Sequence, residues 1–217
     1  MDTRLDELRS RSNRLIVGIE AGNSNRSISA AIVEVSGRGD DTIIDIYSFK
    51  DIELPGELVA ALEALGRIDD FDSEEIAGIN FLLIHQINGL FQDLFDDIQL
   101  EPEDVDVLGV KCLEIAGKRL PEDPSVISEM TGCIVASRFR IELENGKGPE
   151  LDIVEPILRK MVGEIMERLE IDMEASEAVA VALMANESVY SDGVEVDKAD
   201  PTDKERAGLY GEFYFPA

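Results

Sequence analysis

The sequence predicts an α/β protein built on a mixed sheet, and three observations carry that expectation. Short aliphatic runs open the chain, long stretches with helical apolar spacing follow, and further short runs then alternate with helices. At 217 residues the chain supports one sizeable core and is short for two full domains.

After a charged leader, residues 1–14, the run Leu15-Ile16-Val17-Gly18-Ile19 reads as a buried strand and residues 27–35 as a second. Gly37, Gly39 and Asp40-Asp41 turn the chain into a third strand, residues 42–49, carrying Ile44, Ile46 and Tyr47. Three strands in succession predict an antiparallel meander. Pro55-Gly56 opens a helix through Leu58, Val59, Leu62 and Leu65 that Gly66 stops. Asp72 and Glu75 form a capping box for a longer helix, along which Ile76, Ile79, Leu83, Ile87, Leu90 and Leu94 recur at three- and four-residue steps. Residues 105–111 read as a strand, Asp123-Pro124 starts a short helix ending at Gly132, and residues 133–136 read as a further strand. A meander followed by helix-strand-helix-strand is the order of a ribonuclease-H-like mixed sheet.

A carboxy-terminal helical pair follows. Ile157, Leu158, Met161, Val162, Ile165, Met166 and Leu169 make residues 156–169 amphipathic, and residues 175–186 form a smaller, alanine-rich helix. The expected organisation is therefore a leader (1–14), a ribonuclease-H-like domain (15–151), a helical pair (152–188) and a polar tail (189–217). The tail's Leu209, Tyr210, Phe213, Tyr214 and Phe215 are expected to dock on this chain or on another.

Charge and cysteine usage exclude several function classes. A net charge of −27 repels nucleic acid and anionic lipid alike, so neither is an expected partner. The ordinary account of the acidic clusters is a solvated surface; a basic protein partner or a salty cytosol fits the same pattern. Cys112 and Cys133 form no Cys-x-x-Cys pair and read as reduced, packed thiols. No stretch has the pattern of a signal peptide or membrane helix, which predicts a cytoplasmic location. His85 is the single histidine, which rules out a multi-histidine metal site, and it reads as a helix-packing residue. Lys111 reads as a solvent-facing lysine, and Gly146-Lys147-Gly148 as a surface turn lacking the spacing of a phosphate loop. The acidic clusters lack the spacing of a calcium loop, so no metal is assigned.

The segment Gly18-Ile19-Glu20-Ala21-Gly22-Asn23-Ser24-Asn25-Arg26-Ser27-Ile28 resembles the opening of the anhydro-N-acetylmuramic acid kinase family, a strand, a Gly-Thr-Ser turn and an Asp-Gly pair. Ile84-His85, Gly89 and Phe91 are similar to that family's Leu-His, Gly and Phe-Ala helix, Thr131-Gly132 with Phe139-Arg140 resemble a further segment of the family, and residues 176–185 resemble its closing helix. The resemblance implies the first domain of a kinase of the acetate and sugar kinase, Hsp70 and actin type, with most of the second domain missing between these matches. It also implies that Gly22, Asn23 and Ser24 are the phosphate-binding residues, since glycine admits a phosphate to backbone N–H donors.

Against the family pattern, Arg26-Ser27 stands at the Asp-Gly pair, Ser29 at the next aspartate, and Lys111-Cys112-Leu113-Glu114 at the sugar-holding His-Gly-Gln-Thr. The family's general base falls near Leu143, which accepts no proton. Glu142 and Glu144 are the candidate replacements, their ordinary account being exposed loop carboxylates. The expectation is a non-catalytic relative acting as a binding or partner subunit, in a homo-oligomer or with a heteromeric protein partner, with a sugar or nucleotide as possible ligand. The alternatives are ATP- and magnesium-dependent phosphoryl transfer to an amino sugar or anhydro sugar in an oligomer-completed cleft, or unrelated small-molecule chemistry in the vacated cleft.

Overall fold

The computed structural model describes residues 3–21, 26–37, 42–65, 73–96, 98–111, 114–115, 118–119, 124–142, 173–190 and 208–216. The expectations for residues 156–169 and for Cys112 lie outside them. Helix α1 (Thr3–Ser10) leads into the meander β1 (Asn13–Ala21), β2 (Ser27–Ser36) and β3 (Ile43–Glu53). Then come α2 (Gly56–Leu65), α3 (Ser73–Asp93), β4 (Val107–Lys111), a small ribbon of β5 (Glu114–Ile115) and β6 (Lys118–Arg119), α4 (Pro124–Thr131), β7 (Val135–Glu142), α5 (Met173–Tyr190) and β8 (Gly208–Tyr214).

Six strands form one sheet in the order β3-β2-β1-β4-β7-β8. β1, β4 and β7 are parallel, and the other neighbours are antiparallel. The first five strands have the ribonuclease-H-like arrangement, and β8 adds an edge strand drawn from the tail. The seventh strand begins at Val135 and runs to Glu142, well past the short run its apolar residues marked. Asp106 fixes the parallel register at its start: its N–H donates to Leu15 O (2.8 Å), its Oδ2 accepts from Leu15 N–H (2.9 Å), and Arg11 pairs with its carboxylate.

Alternation along β1 divides the core in two. Val17, Ile19 and Ala21 face one side with Leu58 and Leu62 of α2, Leu83, Ile87 and Leu90 of α3, and Ile127 of α4. Ile16 and Gly18 face the other, where Ala178, Val181, Ala182 and Ala185 of α5 pack. Gly18 stands opposite Gly109 of β4, and a Cβ at Gly18 would lie 2.0 Å from the carbonyl oxygen of Ala178 and 2.6 Å from the nitrogen of Ala182. Helix backbone thus rests directly on strand backbone, which explains why α5 is rich in alanine.

The leader is held by its last residue. Arg14 is fully buried, its Nε donating to Asn186 Oδ1 (2.8 Å), Nη1 to Arg11 O (2.8 Å) and Nη2 to Gly37 O (3.3 Å). Its guanidinium also lies 4.7 Å from the Tyr190 ring centroid. One side chain therefore joins the leader, the β2–β3 connection and the end of α5. Cys133 is buried with a free thiol, and burial pushes its pKa up to about 11. No helix among the described residues is long and apolar enough to cross a membrane.

Candidate functional site

The carboxyl ends of parallel strands are where open α/β sheets bind ligands. Here they gather Glu20, Lys111 and Glu177. Glu20 and Lys111 are register partners on β1 and β4, and Lys111 Nζ donates to Glu20 Oε1 at 2.6 Å. Strand alternation turns both toward α5, whose Glu177 adjoins the same carboxyl group. On the next strand Ser137 is buried, its Oγ donating to Val110 O (3.0 Å).

Glu20 is 1% exposed, so ionising it is costly. Its pKa is pushed up from 4.5 to about 7, first by burial and then by hydrogen bonding with Glu177, against the opposing pull of Lys111. The fold therefore favours the protonated carboxyl. That contribution is complete below pH 4.5, where both states hold the proton, and is lost as pH rises through 7. The stability of the native chain relative to Glu20→Gln is expected to fall by roughly 3 kcal/mol over this window and level off above it. Urea unfolding of both proteins at a series of pH values checks this; parallel curves would remove Glu20 as the titrating group.

The sequence-predicted phosphate residues Gly22, Asn23 and Ser24 lie outside the described residues, as does Glu144. The arms of their hairpin are described: β1 ends at Ala21, directly after Glu20, and Ala21 pairs with Ile28 as β2 returns. Arg26, at the family's Asp-Gly position, forms an exposed ion pair with Glu63 of α2 (3.1 Å). Glu142 is the last residue of β7 and pairs with Gly208 of β8. Ser137 is level with Val110, so Glu142 lies five residues farther along, about 16 Å at the rise of an extended strand. The sheet does not bring Glu142 beside Glu20.

Two side chains differ from expectation. Lys111 is not a free surface lysine but the counter-charge of a buried glutamate. His85 stays exposed on α3, with its ring edge-on to Phe81 at 4.4 Å, outside the helix–sheet packing. Glu20 is hard to recognise from sequence because its partner is distant along the chain and only strand register joins them. The available signal was a single carboxylate interrupting an otherwise apolar buried strand.

As a place for magnesium or phosphate, these three groups fit poorly. A magnesium ligand must be ionised and reachable, whereas Glu20 is enclosed, its ionisation is disfavoured by burial, and its Oε1 already accepts from Lys111. A phosphate would meet two carboxyl groups and a lysine already engaged.

No protein-family model matches the chain. Among curated proteins it is 28% identical over 152 residues to the anhydro-N-acetylmuramic acid kinase of Caldanaerobacter subterraneus subsp. tengcongensis, covering 64% of this chain and 38% of that enzyme. It is 23% identical over 136 residues to the anhydro-N-acetylmuramic acid kinase of Bacillus thuringiensis subsp. konkukian, covering 58% of this chain and 36% of that enzyme. The chain thus spans less than two-fifths of the length of these curated relatives. The resemblance read from the glycine-rich hairpin and the helix motifs is borne out, and the chain is a distant relative of these kinases.

Proposed function

We propose that this relative of the anhydro-N-acetylmuramic acid kinases does not transfer phosphate and serves as a binding or partner subunit. The observation that carries this proposal is the buried glutamate at the strand ends. Glu20 is buried with its Oε1 accepting from Lys111 Nζ and its Oε2 without a hydrogen-bond partner among the described residues, so the strand ends offer a carboxyl of raised pKa and an engaged lysine where magnesium or phosphate would need free groups. The departures at Arg26, Ser27, Ser29 and Leu143 support it from the sequence side, since each replaces a family group with one that cannot do its work.

The test is the thermal unfolding midpoint with and without magnesium and a non-hydrolysable ATP analogue, and no shift is expected. A nucleotide at about a hundred times its dissociation constant would stabilise by roughly 2.7 kcal/mol, or about 5–10 °C for a chain of this size. A shift of that order would show that the chain still holds a nucleotide, and ATP-dependent phosphorylation of an anhydro sugar would overturn the proposal.

One observation favours a second reading. The hairpin carrying Gly22, Asn23 and Ser24 leaves β1 at the carboxyl end of the parallel strands, where backbone donors for a phosphate belong. On that reading the chain transfers phosphate from ATP with magnesium to an amino sugar or anhydro sugar, in a cleft completed by a second chain. Glu142 or Glu144 is then the base. Turnover that disappears in Ser24→Ala and in one of the two glutamate variants would establish it; turnover surviving all three would refute it.

A further inference from the structure

We infer that the solvent-facing side of α3 is a self-association surface whose occupant is the same helix of a second copy of this chain. Residues 76–92 contain no Asp, Glu, Lys or Arg, in a chain that is 31% charged with a net charge of −27. One side of that uncharged stretch is spent on the core through Leu83, Ile87, Leu90 and Phe91. The opposite side carries Gly78, Phe81, Leu82, His85 and Gly89, all exposed, with Phe81 60% and Leu82 51% accessible. A surface helix kept only soluble places charges there; this one places apolar and small residues.

The spacing has the form of a helix–helix seam. Gly78, Leu82, His85 and Gly89 recur at steps of four, three and four, the periodicity by which one helix presents a stripe to another. A Cβ added at Gly78 or Gly89 would meet nothing within 4 Å, so both are open notches on the helix surface. An antiparallel crossing about a two-fold axis near His85 sets Leu82 of each copy against Gly89 of the other, knob to notch. A two-fold interface requires this self-complementarity.

Charge selects a second copy over a basic protein. A basic partner is drawn to the carboxylate clusters, not to the one long segment that lacks them. Two copies repel each other over most of their surface, and this strip is where they approach without opposing carboxylates. The interface is independent of whether the strand ends bind phosphate, which the nucleotide-shift measurement reads separately.

Sedimentation equilibrium of the full chain, from micromolar to near-millimolar concentration in low and in high KCl, tests the inference. The expected result is a monomer–dimer equilibrium that tightens with salt, as screening removes the mutual repulsion. Leu82→Glu is expected to weaken it by about tenfold or more while leaving the circular dichroism spectrum unchanged, because Leu82 faces solvent in the single chain. Phe81→Glu is the second variant. A native chain that stays monomeric in high salt, as it would if a heterologous protein or residues 156–169 covered this face, overturns the inference. So does a dimer indifferent to both variants.

Discussion

Gly18→Val is expected to destabilise the fold by about 4 kcal/mol or more, near the limit of what one substitution does. Even the first added carbon would sit 2.0 Å from the Ala178 carbonyl oxygen and 2.6 Å from the Ala182 nitrogen. Both are backbone atoms of α5, so no side chain can rotate away and the whole helix must lift from the sheet. Lifting it would uncover Ile16, Val33 and Val107, which α5 helps bury. Chemical denaturation of Gly18→Val beside Gly78→Ala checks this, because Gly78 lies in a helix with open space around it. The Gly78 change should stabilise by up to about 1 kcal/mol through helix propensity. Similar midpoints for the two variants would mean that α5 does not rest on β1 as closely as described.

Arg14→Met is expected to cost about 3 kcal/mol, lowering the unfolding midpoint by roughly 6–12 °C. Two acceptors lose their donor outright: Asn186 Oδ1 and Arg11 O. Two others keep one, since Leu8 O still accepts from Arg11 N–H and Gly37 O from Asn186 Nδ2. Removing a buried positive charge recovers some desolvation cost, which holds the estimate below the sum of the broken bonds. Arg14→Lys should not restore stability, because one ammonium cannot reproduce the planar fork that reaches three elements. Amide exchange adds a readout specific to position, with protection in α1 falling before that of the central strands. Full stability in Arg14→Met would show that the leader holds by its apolar contacts alone.

The elements that sequence made legible are those whose signal is local. The meander, the apolar stripe of α3 and the start of α4 at Pro124 each announce themselves within a dozen or so residues, and the strand order follows from packing rules once they are placed. The strand ends were legible only in part. The hairpin of Gly22 to Ser24 is visible as a motif, but the pairing of Glu20 with Lys111 depends on parallel register between strands separated by two helices. Arg14 likewise reads as one more charge in a charged leader, and only the arrival of Asn186 and Tyr190 makes it a buried junction. The tail shows the opposite case. Its aromatic residues signal that it docks, while the choice of β7 as partner is made by an edge that the sequence alone does not display.

The order in which the chain is made matters for a sheet covered in this way. β1 and β2 are complete by Ser36, yet the cover on one of their faces comes from α5, and the strand that closes the β7 edge comes from residues 208–214. At cellular rates of synthesis, a ribosome leaves that face bare for on the order of ten seconds. A β-rich apolar surface held open for so long invites pairing with other nascent chains, and holding chaperones act against that danger. The most vulnerable moment for this protein thus falls during its synthesis, when β1 and β2 already exist and the helix that shelters them has yet to emerge.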